Sequence, residues 1–248
     1  VGAVLEQRWA RLPEERRASQ QALDQAFVAF HYGDFAAAEA AALDAERLVA
    51  SDSNEAAHLL PALLLTEIYR ETDRDDRAGA VADAFLKRRE AWSETTKTGV
   101  LELYVPQLLR AARRAGLLTA AEAEHQAQEH LERRRASVPP AVFEEARWIS
   151  RMMLAETRED ARALLAEGAA ARGGGPTTGF APRPALALGL LYELAGEAAK
   201  AVPLLEQVTR ACNGVAFDGG RPRALLALGR ARESLGEKPR ACEAYRLV

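Results

Sequence analysis

The sequence predicts an all-α protein, an α-solenoid of about six antiparallel helix pairs. Three observations predict it. Helical periodicity runs almost end to end, while β-branched runs are short and alternation never persists. A block from Ala185 to Glu197 is repeated from Leu225 to Glu237, 40 residues on. The chain is rich in alanine and only 6% aromatic, and small side chains on good helix formers let helices approach closely.

Stepping the 40-residue offset backward extends the register. The position at the turn within each pair reads Gly33, Asp73, Gly116, Glu156, Gly196 and Gly236. Five residues later stands an alanine in every copy: Ala38, Ala78, Ala121, Ala161, Ala201 and Ala241. Eight residues before the turn stand Leu65, Leu108, Trp148, Leu188 and Leu228, with Gln25 the exception. Each position has a mechanical reason. Glycine accepts a positive φ and ends the first helix. The small residue is expected where the second helix crosses the first, and the large one between them. One such pair cannot bury its apolar stripe alone, whereas stacked pairs share a continuous core.

The pattern Leu188-Gly189-x-x-Tyr192-x-x-x-Gly196 with Ala201, and partly Leu65 with Tyr69 and Ala78, resembles the tetratricopeptide repeat. The period near 40 departs from the family's usual one of about 34 and is similar to a longer-helix variant found in bacterial regulatory proteins. The resemblance covers roughly residues 20–248. It implies a right-handed superhelix whose first helices line a concave groove. It implies a fold more than a function.

The elements follow in order. Residues 1–18 hold a capping helix with Val4, Leu5, Trp9 and Leu12, broken near Pro13. Residues 19–172 carry repeats 1 to 4, in which Thr119-Ala120-Ala121-Glu122 reads as a capping box opening a helix. Pro139-Pro140 separates two pairs, residues 173–181 form a glycine-rich loop, and residues 182–248 carry repeats 5 and 6. Asp218-Gly219-Gly220-Arg221-Pro222 reads as a second loop. The chain starts at Val1 without methionine and stops at Val248 inside a helical pattern, so it is expected to be an excised piece of a longer protein.

Composition narrows the function classes. A net charge of −3 gives no electrostatic reason for nucleic acid or an anionic membrane. No apolar run reaches the roughly 18 residues that span a bilayer, and no signal peptide is visible, so a cytoplasmic location is expected. Cys212 and Cys242 are expected to be free, partly buried thiols. The glycine-rich loop lacks the Gly-Lys-Ser/Thr and the strand of a Walker motif. His125 and His130 are five apart, which is not the spacing of a metal pair on a helix. No catalytic constellation, metal site or cofactor is signalled, and the chain is expected not to be an enzyme.

The groove positions implied by the resemblance are Phe27, Phe30 and His31, then Glu67, Arg70 and Glu71, then Arg110, Arg113 and Arg114. They continue as Ser150, Met153 and Leu154, then Leu190, Glu193 and Leu194, then Arg230, Glu233 and Ser234. Arg110, Arg113 and Arg114 are suited to gripping a carboxylate or phosphate by forked hydrogen bonds. They are equally suited to pairing with Glu67 and Glu71 of the repeat before. Phe27 and Phe30 read as an apolar anchor for a partner, or as packing for the helix around Trp9. The first expectation is a scaffold that binds a protein or peptide segment, an acidic one where the arginines form the grip. The alternatives are a sensor region of a larger bacterial kinase or transcription activator, and a small-ligand binder or enzyme using the inner surface.

Overall fold

The computed structural model describes residues 2–50, 55–97, 104–137, 139–172, 182–210 and 220–248. All regular structure among them is helical. By its contacts the chain forms two compact units, Val1–Ala123 and Glu124–Val248.

Unit 1 opens with α1 (Gly2–Trp9), α2 (Glu14–His31) and α3 (Phe35–Val49). A 3-10 turn at Glu55–His58 leads into α4 (Leu59–Glu71) and α5 (Asp75–Glu90), followed by the single-turn α6 (Glu94–Lys97) and α7 (Val105–Arg114). Each long helix packs on its predecessor, and α2 touches α4 as α4 touches α7. The last helix to begin here, α8 (Ala120–Arg134), contains the boundary between the units. Unit 2 continues with α9 (Pro140–Leu154), α10 (Arg158–Arg172), α11 (Pro182–Ala195), α12 (Ala198–Arg210), α13 (Gly220–Ser234) and α14 (Lys238–Tyr245). Its first helices touch in series too, α9 with α11 and α11 with α13.

The six turn positions all fall between helices, and five share one geometry. Gly33, Asp73, Gly116, Gly196 and Gly236 have φ of 74°, 54°, 73°, 83° and 79°. At Gly196 the amide donates to Glu193 O (3.0 Å), and the next amide, of Glu197, donates to Tyr192 O (2.8 Å). This crossed pair is a Schellman motif, which satisfies carbonyls that a helix end leaves orphaned. The same two bonds recur at Gly33, Asp73, Gly116 and Gly236.

The fourth turn is different. Ala155 leaves α9 in an extended conformation (φ −67°, ψ 130°), so Glu156 needs no left-handed backbone. The amide of Asp160 donates to Thr157 Oγ1 (3.0 Å) and the Thr157 amide donates to Asp160 Oδ2 (3.2 Å). A capping box thus opens α10 at the one turn of the six that no left-handed residue closes. The box expected at Thr119 and Glu122 is also present, with bonds of 2.7 and 3.2 Å.

Ala38, Ala78, Ala161, Ala201 and Ala241 are buried as expected of crossing positions, but Ala121 is exposed. The reason is a shift of phase. Helix α8 starts four residues after Gly116, whereas α3, α5, α12 and α14 start two residues after their turn positions. Two residues on, Ala123 is buried. Leu65, Leu108, Leu188 and Leu228 are buried, Trp148 is half-buried and Gln25 is exposed.

Two further expectations are corrected. Gly220, Arg221 and Pro222 are the first turn of α13, where proline lacks only an amide that would be orphaned anyway. Cys242 is a free thiol but exposed. Cys212 and the glycine-rich loop 173–181 lie outside the described residues. The capping segment is a short helix, α1, and α2 already begins at Glu14. Trp9 Nε1 and Arg8 Nη1 donate to Asp24 of α2 at 2.9 and 3.2 Å. No described helix is long and apolar enough to cross a membrane.

Candidate functional site

Residues Phe27 to Arg114 of the expected groove belong to unit 1, and Glu193 and Arg230 to unit 2. In unit 1 the centre is α4, in which Pro61 through Tyr69 are buried without a break. A helix apolar on most sides can be enclosed. The exception on this one is Glu67, whose carboxylate is buried and salt-bridged to Arg70 Nη2 at 2.6 Å. The same Arg70 nitrogen donates to Glu71 Oε1 at 2.7 Å. Burial pushes the Glu67 carboxyl above its ordinary pKa, against the pull of Arg70, Arg110 and Arg114. At Arg70, burial works against the charge, but Glu67, Glu71 and Asp75 outweigh it and the guanidinium is held more firmly charged.

Helix α7 supplies the other side of this cluster. Arg114 Nη2 donates to Asp75 Oδ2 at 2.9 Å, tying α7 to the start of α5. Arg110 and Arg113 are half-buried, and Arg114 is exposed. Gln107, one turn before Arg110, is buried, and its Oε1 receives no hydrogen bond among the described residues. Arg70, Arg110 and Arg114 therefore sit in a cluster with Glu67, Glu71 and Asp75, three cations against three carboxylates. Arg114 is the exposed member.

The aromatic group of α2 divides. Phe30 is buried, with its ring edge-on to Phe35 at 5.7 Å, so it locks α2 to α3. Phe27 is half-buried against the same core. His31 is exposed, and its ring lies edge-on to Tyr32 at 6.5 Å.

In unit 2, Arg230 of α13 grips Glu193 of α11 with both prongs, Nε to Oε1 at 2.9 Å and Nη2 to Oε2 at 3.3 Å. Beside them Arg232 Nη2 donates to Glu206 Oε1 of α12 at 2.6 Å. Tyr245 of α14 donates from its hydroxyl to Glu233 Oε2 at 3.0 Å.

A cluster that sequence reasoning did not find surrounds Tyr69. Its ring lies under the guanidinium of Arg74 at 4.7 Å, with that of Arg77 at 5.9 Å. Glu39 of α3 is salt-bridged to Arg74 at 2.8 Å, which holds its carboxyl below the usual range. The hydroxyl of Tyr69 bonds to Glu39 as well, and burial with this bond raises its pKa. No spacing in the sequence links residues 39, 69 and 74, because the helices bring them together. No group of three or more potential metal ligands occurs among the described residues.

No family model, no curated protein and no solved structure matches this chain.

Proposed function

We propose that the chain is a tetratricopeptide-like, right-handed α-solenoid whose work is to hold a protein or peptide segment rather than to catalyse a reaction. The observation that carries this reading is the serial contact of first helices, α2–α4–α7 in one unit and α9–α11–α13 in the other. Such a series presents one equivalent surface position per repeat, which suits an extended ligand. The Schellman turn recurring at five of the six turns within the pairs supports the same reading.

Within unit 1 the enclosure of α4 moves the contact outward. Arg70 is enclosed and engaged by Glu67 and Glu71, so an acidic segment would meet Arg114, the exposed arginine of the group, in competition with Asp75. The test is affinity capture from native lysate with the wild type beside Arg114→Glu, both checked for helicity by circular dichroism. A partner held by the wild type and lost by the folded variant supports the reading. A folded variant that keeps every wild-type partner removes α7 from the binding surface.

A further inference from the structure

Asp75 is the carboxylate of the arginine cluster that is placed to let go. Its bond to Arg114, Oδ2 to Nη2 at 2.9 Å, is open to solvent on both sides, with Arg114 38% and Asp75 37% exposed. The neighbouring bridge between Arg70 and Glu67 is enclosed, at 13% and 5%. Asp75 is the first residue of α5 and Arg114 the last of α7. A carboxylate at a helix N-terminus and a cation at a helix C-terminus are each favoured without the other. Parting Asp75 from Arg114 therefore leaves two wet, helix-supported charges, whereas Glu67 parted from Arg70 would remain buried. The stack does not depend on the outer bond either. The same two register positions, two residues after one turn and two before the next, hold Phe35 and Glu71 one step earlier and Leu118 and Leu154 one step later.

We propose that Asp75 is a built-in competitor, an autoinhibitory contact that occupies Arg114 until a carboxylate of a partner's acidic segment displaces it. This rests on the reading of α7 as the side that meets such a segment. The exchange puts one carboxylate in place of another on the same guanidinium, so the hydrogen bond lost is remade. Asp75 stays in the first turn of α5, where the backbone amides continue to favour its charge. Apparent affinity is lowered by the share of molecules in which Asp75 holds Arg114. The contact thereby selects for segments acidic enough to win the exchange.

The test follows the Arg114 Nε–H resonance of the isotope-labelled full chain, assigned by its loss in Arg114→Lys, while an end-blocked hexaglutamate peptide is added. A saturable shift is expected with the wild type. Asp75→Asn is expected to lower the dissociation constant about two- to fivefold, the worth of one exposed ion pair. Asp76→Asn is the control. Asp76 is exposed in the same first turn of α5, so its loss changes the charge equally and leaves the Arg114 contact in place. It should tighten binding clearly less. Circular dichroism checks that both variants keep the wild-type helicity. Equal tightening by the two substitutions would reduce the effect to net charge and overturn the proposal. A wild-type shift that Asp75→Asn leaves unchanged would overturn the proposal while keeping the acid-binding reading. Absence of a saturable shift in both the wild type and Asp75→Asn would remove that reading and this proposal with it.

Discussion

Gly189 lies under Leu205 as Gly229, 40 residues later, lies under Tyr245. A Cβ on Gly189 would stand 2.9 Å from Leu205 Cδ2, and one on Gly229 would stand 2.1 Å from Tyr245 Cε1. Glycine in a helix interior costs about 1 kcal/mol relative to alanine, so in free space both substitutions would stabilise. The surroundings decide otherwise at Gly189, because Leu205 is wholly enclosed and cannot move aside. Gly189→Ala is expected to destabilise by about 1–3 kcal/mol. At Gly229 the ring that must move is partly exposed, so the loss should be smaller and the Tyr245–Glu233 bond should break. Urea unfolding of the two variants checks the order, and equal losses would show that exposure of the neighbour does not matter.

Asp73 does at φ 54° what glycine does at the other Schellman turns. The left-handed region costs a residue with a Cβ roughly 1 kcal/mol or more, somewhat less for aspartate. Asp73→Gly is expected to raise stability by up to about 1 kcal/mol. Gly116→Ala, where a Cβ meets nothing within 4 Å, should lower it by about 1 kcal/mol through backbone strain alone. Thermal unfolding is the measurement.

Arg70 is salt-bridged to the buried carboxylate of Glu67. Arg70→Ala is expected to cost about 3 kcal/mol, since it removes that ion pair and leaves the buried charge to Arg110 and Arg114. The pH dependence runs opposite to that of a surface carboxylate. The folded pKa of Glu67 is raised, so the folded state favours the protonated form. The stability this contributes is present below the unfolded pKa and lost as pH rises through the folded value. Glu67→Gln should therefore gain on the wild type as pH is raised from acid to neutral. Chemical denaturation at several pH values checks it, and a gain in the other direction would mean that the arginines outweigh burial.

The capping box of α8 gives the contrasting case. Thr119 lowers the pKa of Glu122 through its amide and its hydroxyl. That contribution is present above the ordinary carboxylate pKa and fades as pH falls through the folded value. The wild type should lead Glu122→Ala at neutral pH and lose that lead in acid. Thr119→Ala should cost about 1 kcal/mol. Hydrogen exchange in the first turn of α8 and unfolding curves at two pH values test both statements.

The parts of the fold written locally were legible. Glycine at a turn and alanine at a crossing are requirements on single positions, so Gly33, Ala38, Gly196 and Ala201 announce themselves. Ala121 misled because Gly116 is followed by two extra residues before α8 begins, and an alanine-rich chain offers a match at either phase. Glu156 was grouped with the other turn positions, and the box at Thr157 and Asp160 that makes a left-handed residue unnecessary there went unread. The groove was less legible than the repeats. Periodicity says which face of α4 carries Glu67 and Arg70, but what covers that face is decided by other helices. The bond between Arg230 and Glu193 was hidden for the same reason, since both were assigned to the groove without being assigned to each other.

The unbroken enclosure of Pro61 to Tyr69 has a consequence for how unit 1 comes apart. A repeat array ordinarily frays from its ends, each pair peeling from its neighbour. A helix with no wet side cannot open until several neighbours have left it. The amides of α4 should therefore be among the slowest in the chain to exchange with solvent, released only when unit 1 opens as a block. Unit 1 would then contain one stretch that behaves as a keystone.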